Sequence, residues 1–489
     1  MFDFSPTVSL AESIDRALTP VSDFVASIIF YSVPIAGVSL PLVVVWLISA
    51  AAILTVSLRF INLRGFRHAW KLVLNPRDQE GAEGEITHFQ ALSSALSGTV
   101  GLGNIASVPV AIALGGPGAI FWMILAGFLG MTSKFAECAL AVKYRRFGPD
   151  GRTIGGPMYY IEAVFARHGL KSIGKGAAIF FAVMTMGASV SVFQVNQSYA
   201  QLANVTGINA PVIYGAVIAS LVAVVILGGI RRIGRVAGVL VPLMGALYVG
   251  AGLIIILMNI TAVPEAIATI FKSAFGFEAA GGGLVGALIN GIRRATYSNE
   301  AGVGSAAIAH SAVKTNEPLT EGYVALLEPF IDTIVVCTIT ALVVVVTGAY
   351  KPFLYAEGPL QGIEITSAAF ASAFTWFPYV LLVASILFAF TTLVSWSYYG
   401  AQAAAYLFGP TKTVDVVFKL TLCLLLSTGA AVSLSAIINF IDSMLFGMCI
   451  PNIIALYLLL PELKRDVRAY EAKYLGKVRD SGPGTRDSV

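Results

Sequence analysis

The chain has 489 residues, of which 57% are hydrophobic and only 12% charged, and its mean hydropathy is +0.82. No water-soluble partition into core and surface yields such a composition, so the chain reads as an integral membrane protein. The net charge of +4 does not by itself point to nucleic acid, because in a membrane protein the placement of Lys and Arg carries the information.

Residues 1–20, MFDFSPTVSLAESIDRALTP, carry acids, no basic cluster and no cleavage signature, so no removable signal peptide is expected. Residues 21–37 and 263–275 are apolar but short and punctuated, and read as interfacial or loop helices. Apolar windows bounded by charges and turn residues predict eleven spans, at 40–59, 88–113, 117–143, 176–204, 210–229, 234–259, 282–311, 319–348, 373–408, 415–434 and 438–461. Such runs approach or exceed the ~20 residues that cross hydrocarbon as a helix. The fold class is therefore all-α, a polytopic membrane bundle; an outer-membrane barrel would show ~10-residue segments of alternating polarity instead. The domain reading is an extracellular segment 1–37, a transmembrane domain 38–465 and a cytoplasmic tail 466–489 that ends in the polar run SGPGTRDSV. Cys138, Cys337, Cys423 and Cys449 all lie in apolar runs and read as packing residues, with no disulfide framework.

Basic residues concentrate in alternate loops: RFINLRGFRHAWK, KYRRFGPDGR with RHGLKSIGK, RRIGR, and the tail KRDVRAYEAKYLGK. Positive-inside bias then places the N-terminus outside and the C-terminus in the cytoplasm, in agreement with an odd number of crossings. With the first span set aside, ten remain and divide into five and five, residues 88–259 and 282–461. Each half opens on a glycine-interrupted span, SGTVGLGN at 97–104 and YSNEAGVGS at 297–305, and the two run in opposite directions. Paired broken helices in halves of inverted topology point to a secondary transporter, the breaks being tolerable where they line a cavity.

Unwinding a helix near the midplane frees N–H groups on one half and C=O groups on the other, so one break offers an anion site and a cation site together. An amino acid zwitterion needs both. At Gly98, Gly101 and Gly103 a small ligand can touch backbone, and Asn104 adds an amide. Taken alone these glycines serve equally well as a helix-packing surface. The second motif tips the balance, because packing does not require Tyr297, Ser298, Asn299 and Glu300 before the next glycines. Sodium wants hard oxygen ligands, and TTLVSW in the ninth span supplies Thr391, Thr392 and Ser395, with Thr391 and Ser395 on one helical face. Gln194 and Gln197 share a face of the fourth span, and Trp396 is placed to wall a pocket.

Glu137, Glu300, Glu328, Asp332 and Asp442 are acids at membrane depth and functional suspects on that ground. Lys134 and Glu137, three apart, read as an internal ion pair. Arg293 and Arg294 have Glu300 or Glu328 as partners, or line the outer entrance, or snorkel. His68, His88 and His168 fall in cytoplasmic segments, which leaves His310 as the histidine placed to sense protons. There is no Walker loop or nucleophile elbow, so ATP-driven transport and hydrolase chemistry are unsupported and the chain does not read as an enzyme.

SGTVGLGNIASVP (97–109), GGPMYYIE (155–162) and NEAGVGSAAIAHSAVKTNEP (299–318) resemble the signatures of the alanine or glycine:cation symporter family over nearly the whole chain. The resemblance implies a LeuT-type fold, a five-plus-five inverted repeat preceded by one extra helix, in a bacterial inner membrane. It implies uptake of small neutral amino acids with sodium and sometimes protons, with membrane lipids around the bundle, no nucleic acid and no obligate protein partner. Likeness to the wider neurotransmitter:sodium symporters at VGLGN implies that the Thr99 carbonyl meets the substrate amine and that N–H groups near Leu102 and Gly103 hold its carboxylate. The full expected substrate set is Thr99, Gly101, Leu102, Gly103, Gln194, Ser298, Asn299, Gly302 and Trp396. Gly98, Val100, Thr391, Thr392 and Ser395 form the expected sodium set. Ser107 stands where those relatives carry a gating arginine, so their extracellular gate is not implied here. A cation channel and a non-transporting amino-acid sensor are the rival readings.

Overall fold

The computed structural model describes residues 10–35, 38–75, 81–148, 151–276, 283–354, 362–431 and 434–476. Helix α1 (Leu10–Ile29) leads into a hairpin of β1 (Ser32–Ile35) and β2 (Val38–Pro41), in which Ser32 faces Pro41 and Ile35 faces Val38. The helix expected over 21–37 thus ends at Ile29. Pro34 has no N–H to continue a helix, and Val33 and Ile35 are β-branched, so an extended ribbon suits the segment better. A second short ribbon, β3 (Arg146–Phe147) with β4 (Thr153–Ile154), is a minor addition to a mostly helical fold.

The helices follow in chain order. After α2 (Leu42–Ser57) come the short α3 (Ile61–Arg64) and α4 (Phe66–Leu74), then α5 (His88–Thr99), a π-helical turn at Gly103–Ser107 and α6 (Val108–Gly115). Next are α7 (Ala119–Lys143), α8 (Pro157–Arg167), α9 (Lys171–Ser189), α10 (Val192–Thr206), α11 (Pro211–Ile226), α12 (Gly229–Met258) and α13 (Val263–Phe275). The second half holds α14 (Gly283–Asn299), α15 (Ser305–His310), α16 (Pro318–Ala325), α17 (Leu327–Pro329) and, after a π-helical stretch at Phe330–Cys337, α18 (Thr338–Val346). It closes with α19 (Gly362–Ala371), α20 (Phe377–Phe408), α21 (Lys412–Thr428) and α22 (Leu434–Tyr470).

Among the described residues six helices are long and apolar enough to cross a membrane, and seven if the bent pair α5/α6 is one span; α2 and α11 are shorter apolar helices. The expected tail from residue 466 begins inside α22, which runs to Tyr470 and continues as a π-helical turn to Leu475, while residues 477–489 lie outside the described residues.

Local chemistry sets where the first broken helix begins. Thr87 caps α5: its hydroxyl accepts from Gln90 N–H at 3.2 Å, and the Gln90 side chain accepts from Thr87 N–H at 3.1 Å. This reciprocal box satisfies two of the orphan donors every helix start carries. The basic loops gather at one end of the bundle. There the Arg145 guanidinium donates to the carbonyls of Ser311, Val313, Glu83 and Thr315. Ile86 and Val313 also form a parallel bridge, so the strand entering α5 and the strand leaving α15 are joined.

Candidate functional site

The first break is a redirection of backbone donors. In a continuous helix Gly101 and Leu102 would donate to Ser97 and Gly98, four residues back. Instead Gly101 N–H donates to Asn104 Oδ1 at 2.9 Å and Leu102 N–H donates to Gln194 Oε1 at 3.0 Å. Asn104 N–H, which would reach Val100, donates to the Gly101 carbonyl at 3.1 Å. The carbonyls of Ser97, Gly98 and Val100 lose their helical partners, and α5 and α6 meet at a bend of 46°. Glycine is required at 101: a Cβ there would lie 2.6 Å from Thr392 Oγ1 and 3.2 Å from Gln194 Nε2.

The second break turns on three left-handed residues, Glu300 (φ 54°), Gly302 (φ 88°) and Gly304 (φ 89°). The two glycines adopt this region freely, whereas Glu300 is strained, which is characteristic of functional sites. Its carboxylate accepts from Trp396 Nε1–H at 3.1 Å through one oxygen and from the Ser305 hydroxyl through the other. A third interruption was not legible as a break in the sequence. The span expected at 176–204 parts at Val190–Ser191, where Val192 N–H donates back to the Val190 carbonyl at 2.7 Å. Only the serines alternating with valines in SVSV at 189–192 hinted at it.

These interruptions border one narrow hollow, walled by Gly98, Thr99, Gly103, Gln194, Tyr297, Glu300 and Trp396, with Ala188, Ser191, Ile441 and Leu445 completing it. The Tyr297 ring lies over Gly103, where a Cβ would come within 3.4 Å of it, and meets Phe193 edge-on at 5.5 Å. Of the expected substrate set, Thr99, Gly103, Gln194 and Trp396 line the hollow, and Gly98 of the sodium set joins them. Gly101 and Leu102 stand behind it and fix Gln194.

The structure turns Ser298, Asn299 and Gly302 elsewhere. Ser298 donates to Asp332 Oδ2 at 2.7 Å, and Asn299 donates to Thr333 Oγ1 at 2.9 Å. The Gly302 carbonyl accepts from Asn452 Nδ2 at 2.9 Å. Asn104 Nδ2 joins this knot, donating to Asp332 Oδ1 at 2.6 Å and to Ser298 Oγ at 3.0 Å. None of these three positions lines the hollow, and of them Ser298, through Asn104, ties the second break to the first.

The hydroxyls of α20 separate into distinct roles. Thr391 back-bonds to the Leu387 carbonyl at 3.0 Å, and Ser395 donates to the Ser94 carbonyl at 2.8 Å while also meeting Ser97 Oγ. Thr392 Oγ1 is buried with no hydrogen-bond partner, hard against Gly101. An orphaned hydroxyl beside carbonyls freed by unwinding is the oxygen-only environment a hard cation needs. Ser97 was absent from the sequence-derived set; its place one turn before the glycines was the available signal.

Two further expectations are corrected. Lys134 pairs with Glu328 at 3.1 Å, not with Glu137, which accepts from Asn452 Nδ2 at 2.8 Å. Arg293 and Arg294 pair with Asp442, at 2.8 and 3.1 Å, not with Glu300 or Glu328. His88, at the start of α5, is buried against Glu321. The arginine pairs hold α14 to α22 one turn from the hollow, since Asp442 adjoins Ile441 and Arg294 lies over the Tyr297 ring at 5.7 Å. Arg294 and Ser107 line one small cavity. The four cysteines are free.

With this geometry in place, comparison with known proteins is informative. Residues 25–481 match the Sodium:alanine symporter family. A sodium/alanine symporter, AgcS of Methanococcus maripaludis, is 40% identical over 432 residues, covering 88% of this chain and 94% of its own. A protein described as a putative sodium/proton-dependent alanine carrier, YrbD of Bacillus subtilis, is 35% identical over 470 residues, covering 92% and 93%. The probable sodium/glutamine symporter GlnT of the same organism is 33% identical over 422 residues, covering 86% and 85%. Among solved structures, MhsT in complex with L-phenylalanine superposes with a TM-score of 0.54 at 15% identity, covering 78% of this chain and 90% of that one, a likeness of fold alone.

Proposed function

The chain belongs to the sodium:alanine symporter family, and from that premise we propose that it takes up a small neutral amino acid by coupling it to inward sodium movement through alternating access. It is a multi-pass membrane transporter of LeuT-type fold, and its relatives are symporters and carriers rather than enzymes. In this reading eleven spans cross a bacterial inner membrane, with the N-terminus outside and the basic end in the cytoplasm. Residues 88–259 and 282–461 are the two inverted repeats.

One observation carries the reading: three interrupted helices converge on a single small hollow that offers a carboxylate, the amide of Gln194 and an aromatic wall together. An amino acid zwitterion fits that chemistry at both ends. Its ammonium group is met by Glu300 with the Thr99 carbonyl. Its carboxylate competes with Gln194 Oε1 for Leu102 N–H, so Gln194 holds the anion seat until substrate arrives. Tyr297, Trp396, Ile441 and Leu445 bound the side-chain end and favour small substrates, alanine or glycine first. Sodium is held by Thr392 with carbonyls of the unwound turn, and Gly98 and Val100 contribute through that backbone. The Arg293–Arg294–Asp442 cluster closes the outer side above the hollow.

Uptake of labelled L-alanine by the purified protein in proteoliposomes tests the reading. An imposed sodium gradient drives saturable accumulation that unlabelled glycine competes away more strongly than glutamine. Equal equilibration of alanine with or without sodium would refute it.

A further inference from the structure

Away from the hollow, five ionisable side chains form an unbroken buried chain. His88, the first residue of α5, contacts Glu321 of α16, which contacts His310 at the end of α15; His310 contacts Glu328 of α17, and Glu328 pairs with Lys134 of α7. All five are buried, and four of them expose nothing.

Hydrogen-bond counting fixes the protonation of this chain. His310 points Nδ1 at Glu321 and Nε2 at Glu328. A carboxylate only accepts, and a neutral imidazole donates from one nitrogen only, so the second contact needs one more proton. Charge counting agrees: two carboxylates against one ammonium leave one negative charge buried, and a single added proton cancels it. An uncompensated charge at such depth is strongly disfavoured. Other titratable groups near this cluster are Cys138 and Glu137 of α7, Tyr160 of α8, Tyr399 of α20 and Glu300, which accepts from Ser305 of α15, with Arg145 held on the Ser311 carbonyl. Cys138 Sγ lies with a His310 nitrogen and a Glu328 oxygen within 4.8 Å of one another. A metal there would have to displace Lys134 and both histidine contacts, so a proton is the better-suited occupant.

We propose that His310, Glu321 and Glu328 form a one-proton site that locks the inner halves of both broken helices together. The bound proton lets α15 grip α16 and α17 at once, and Glu321 carries the grip to α5 through His88. His88 lies two residues after Ile86, which bridges to Val313 beside the Arg145 contacts, so the chain of five starts near the basic end of the bundle. When the proton leaves, two carboxylates compete for one N–H and one grip fails. The inner halves then separate from α16 and α17, the movement an inward opening requires. This lock rests on the transport reading for its purpose but not for its detection.

Hydrogen–deuterium exchange on the full chain in lipid nanodiscs tests the lock without reference to transport. In the wild type, after correction for intrinsic exchange, protection of residues 86–96 and 305–314 falls together by about tenfold as the pH rises from roughly 7 to 11, as loss of one charge-assisted hydrogen bond would produce. In His310→Gln, whose amide donates without titrating, the two segments show no such pH step. Unchanged wild-type protection across that range would overturn the proposal, as would an identical pH step in a folded His310→Gln. If that variant does not fold, Glu321→Gln serves in its place and the wild-type profile decides alone. Alanine uptake measured on the same preparation reports separately whether the symport reading holds.

Discussion

Replacing Glu300 by Gln isolates the charge that this site offers an amino group. The amide oxygen still accepts from Trp396 Nε1–H, a bond of 3.1 Å in the wild type, and the new NH2 can donate to the Ser305 hydroxyl. Backbone strain is also matched, because both residues carry a full side chain at φ 54°. What is lost is the ionised acceptor. Hydrogen bonds to charged groups contribute about 1.5–3 kcal/mol against about 1 for neutral ones. At about 1.4 kcal/mol per factor of ten, the loss of most of that interaction raises the KM for alanine roughly 10- to 100-fold. The rate at saturating alanine changes much less, because the contact is made in the bound ground state as well as in the step that follows. The assay is initial uptake into proteoliposomes at saturating sodium, with thermal unfolding of the variant measured alongside. A KM within twofold of wild type in a folded variant would remove Glu300 from the ammonium seat.

Thr392→Ala raises the sodium concentration needed for half-maximal uptake, and an unshifted sodium titration would count against the cation site proposed there. Gly101→Ala introduces a Cβ 2.6 Å from Thr392 Oγ1 and abolishes uptake, whereas Gly245→Ala, which meets nothing within 4 Å, leaves it unchanged; overpacking of this kind costs about 1–3 kcal/mol. Asp442→Asn leaves Arg293 and Arg294 facing each other without a counter-charge, and breaking such a buried pair costs about 3–5 kcal/mol, read as a lowered Tm and faster exchange of bound alanine to the outer side. Glu462, just beyond the last span, is an acid-range control. Burial pulls its carboxyl upward, but hydrogen bonds from Lys143 and Arg167 outweigh this and hold it below its usual value. Its stabilising contribution is therefore present above the unfolded carboxylate range and lost only as pH falls through the lowered value. Protection around α7, α8 and α22 at that end stays constant from roughly pH 7 to 11, the range over which the His310 site gives up its proton.

The glycine-rich turns were legible because their cause is local: Gly101, Gly302 and Gly304 sit where a side chain would clash or a positive φ is needed, and the polar residues before the second set separate it from a mere packing surface. The break at Val190–Ser191 was not legible, because no glycine or proline marks it and its carbonyls are satisfied by local turns. Charge pairing failed for a related reason. Sequence spacing ranks partners along one helix, so Lys134 was matched to Glu137, yet at zero exposure the partner that neutralises the lysine is Glu328 on another element. The same limit applies to Ser298 and Asn299. Their residue types announced a polar site, but only the fold shows that Asp332 and Thr333 take their hydrogen bonds.

That displacement has a consequence for coupling. Asn104 fixes the first break by accepting from Gly101 N–H, and the same side chain donates to Asp332 and Ser298, which belong to the second half. Thr392 meets the first break at Gly101, while Trp396, one turn along α20, donates to Glu300 at the second. A cation that draws Thr392 and the freed carbonyls together therefore acts on the same turn that presents Leu102 N–H and seats Gln194. Through Asn104 it also acts on the segment that presents Glu300. Since a coupling free energy between two ligands is reciprocal, alanine must tighten sodium by the factor that sodium tightens alanine. Asn104→Ala, which cuts the shared knot while leaving Thr392, Glu300 and the glycines in place, should lower that common factor in both directions by the same amount. A coupling factor unchanged in a folded Asn104→Ala would show that the linkage does not run through this knot.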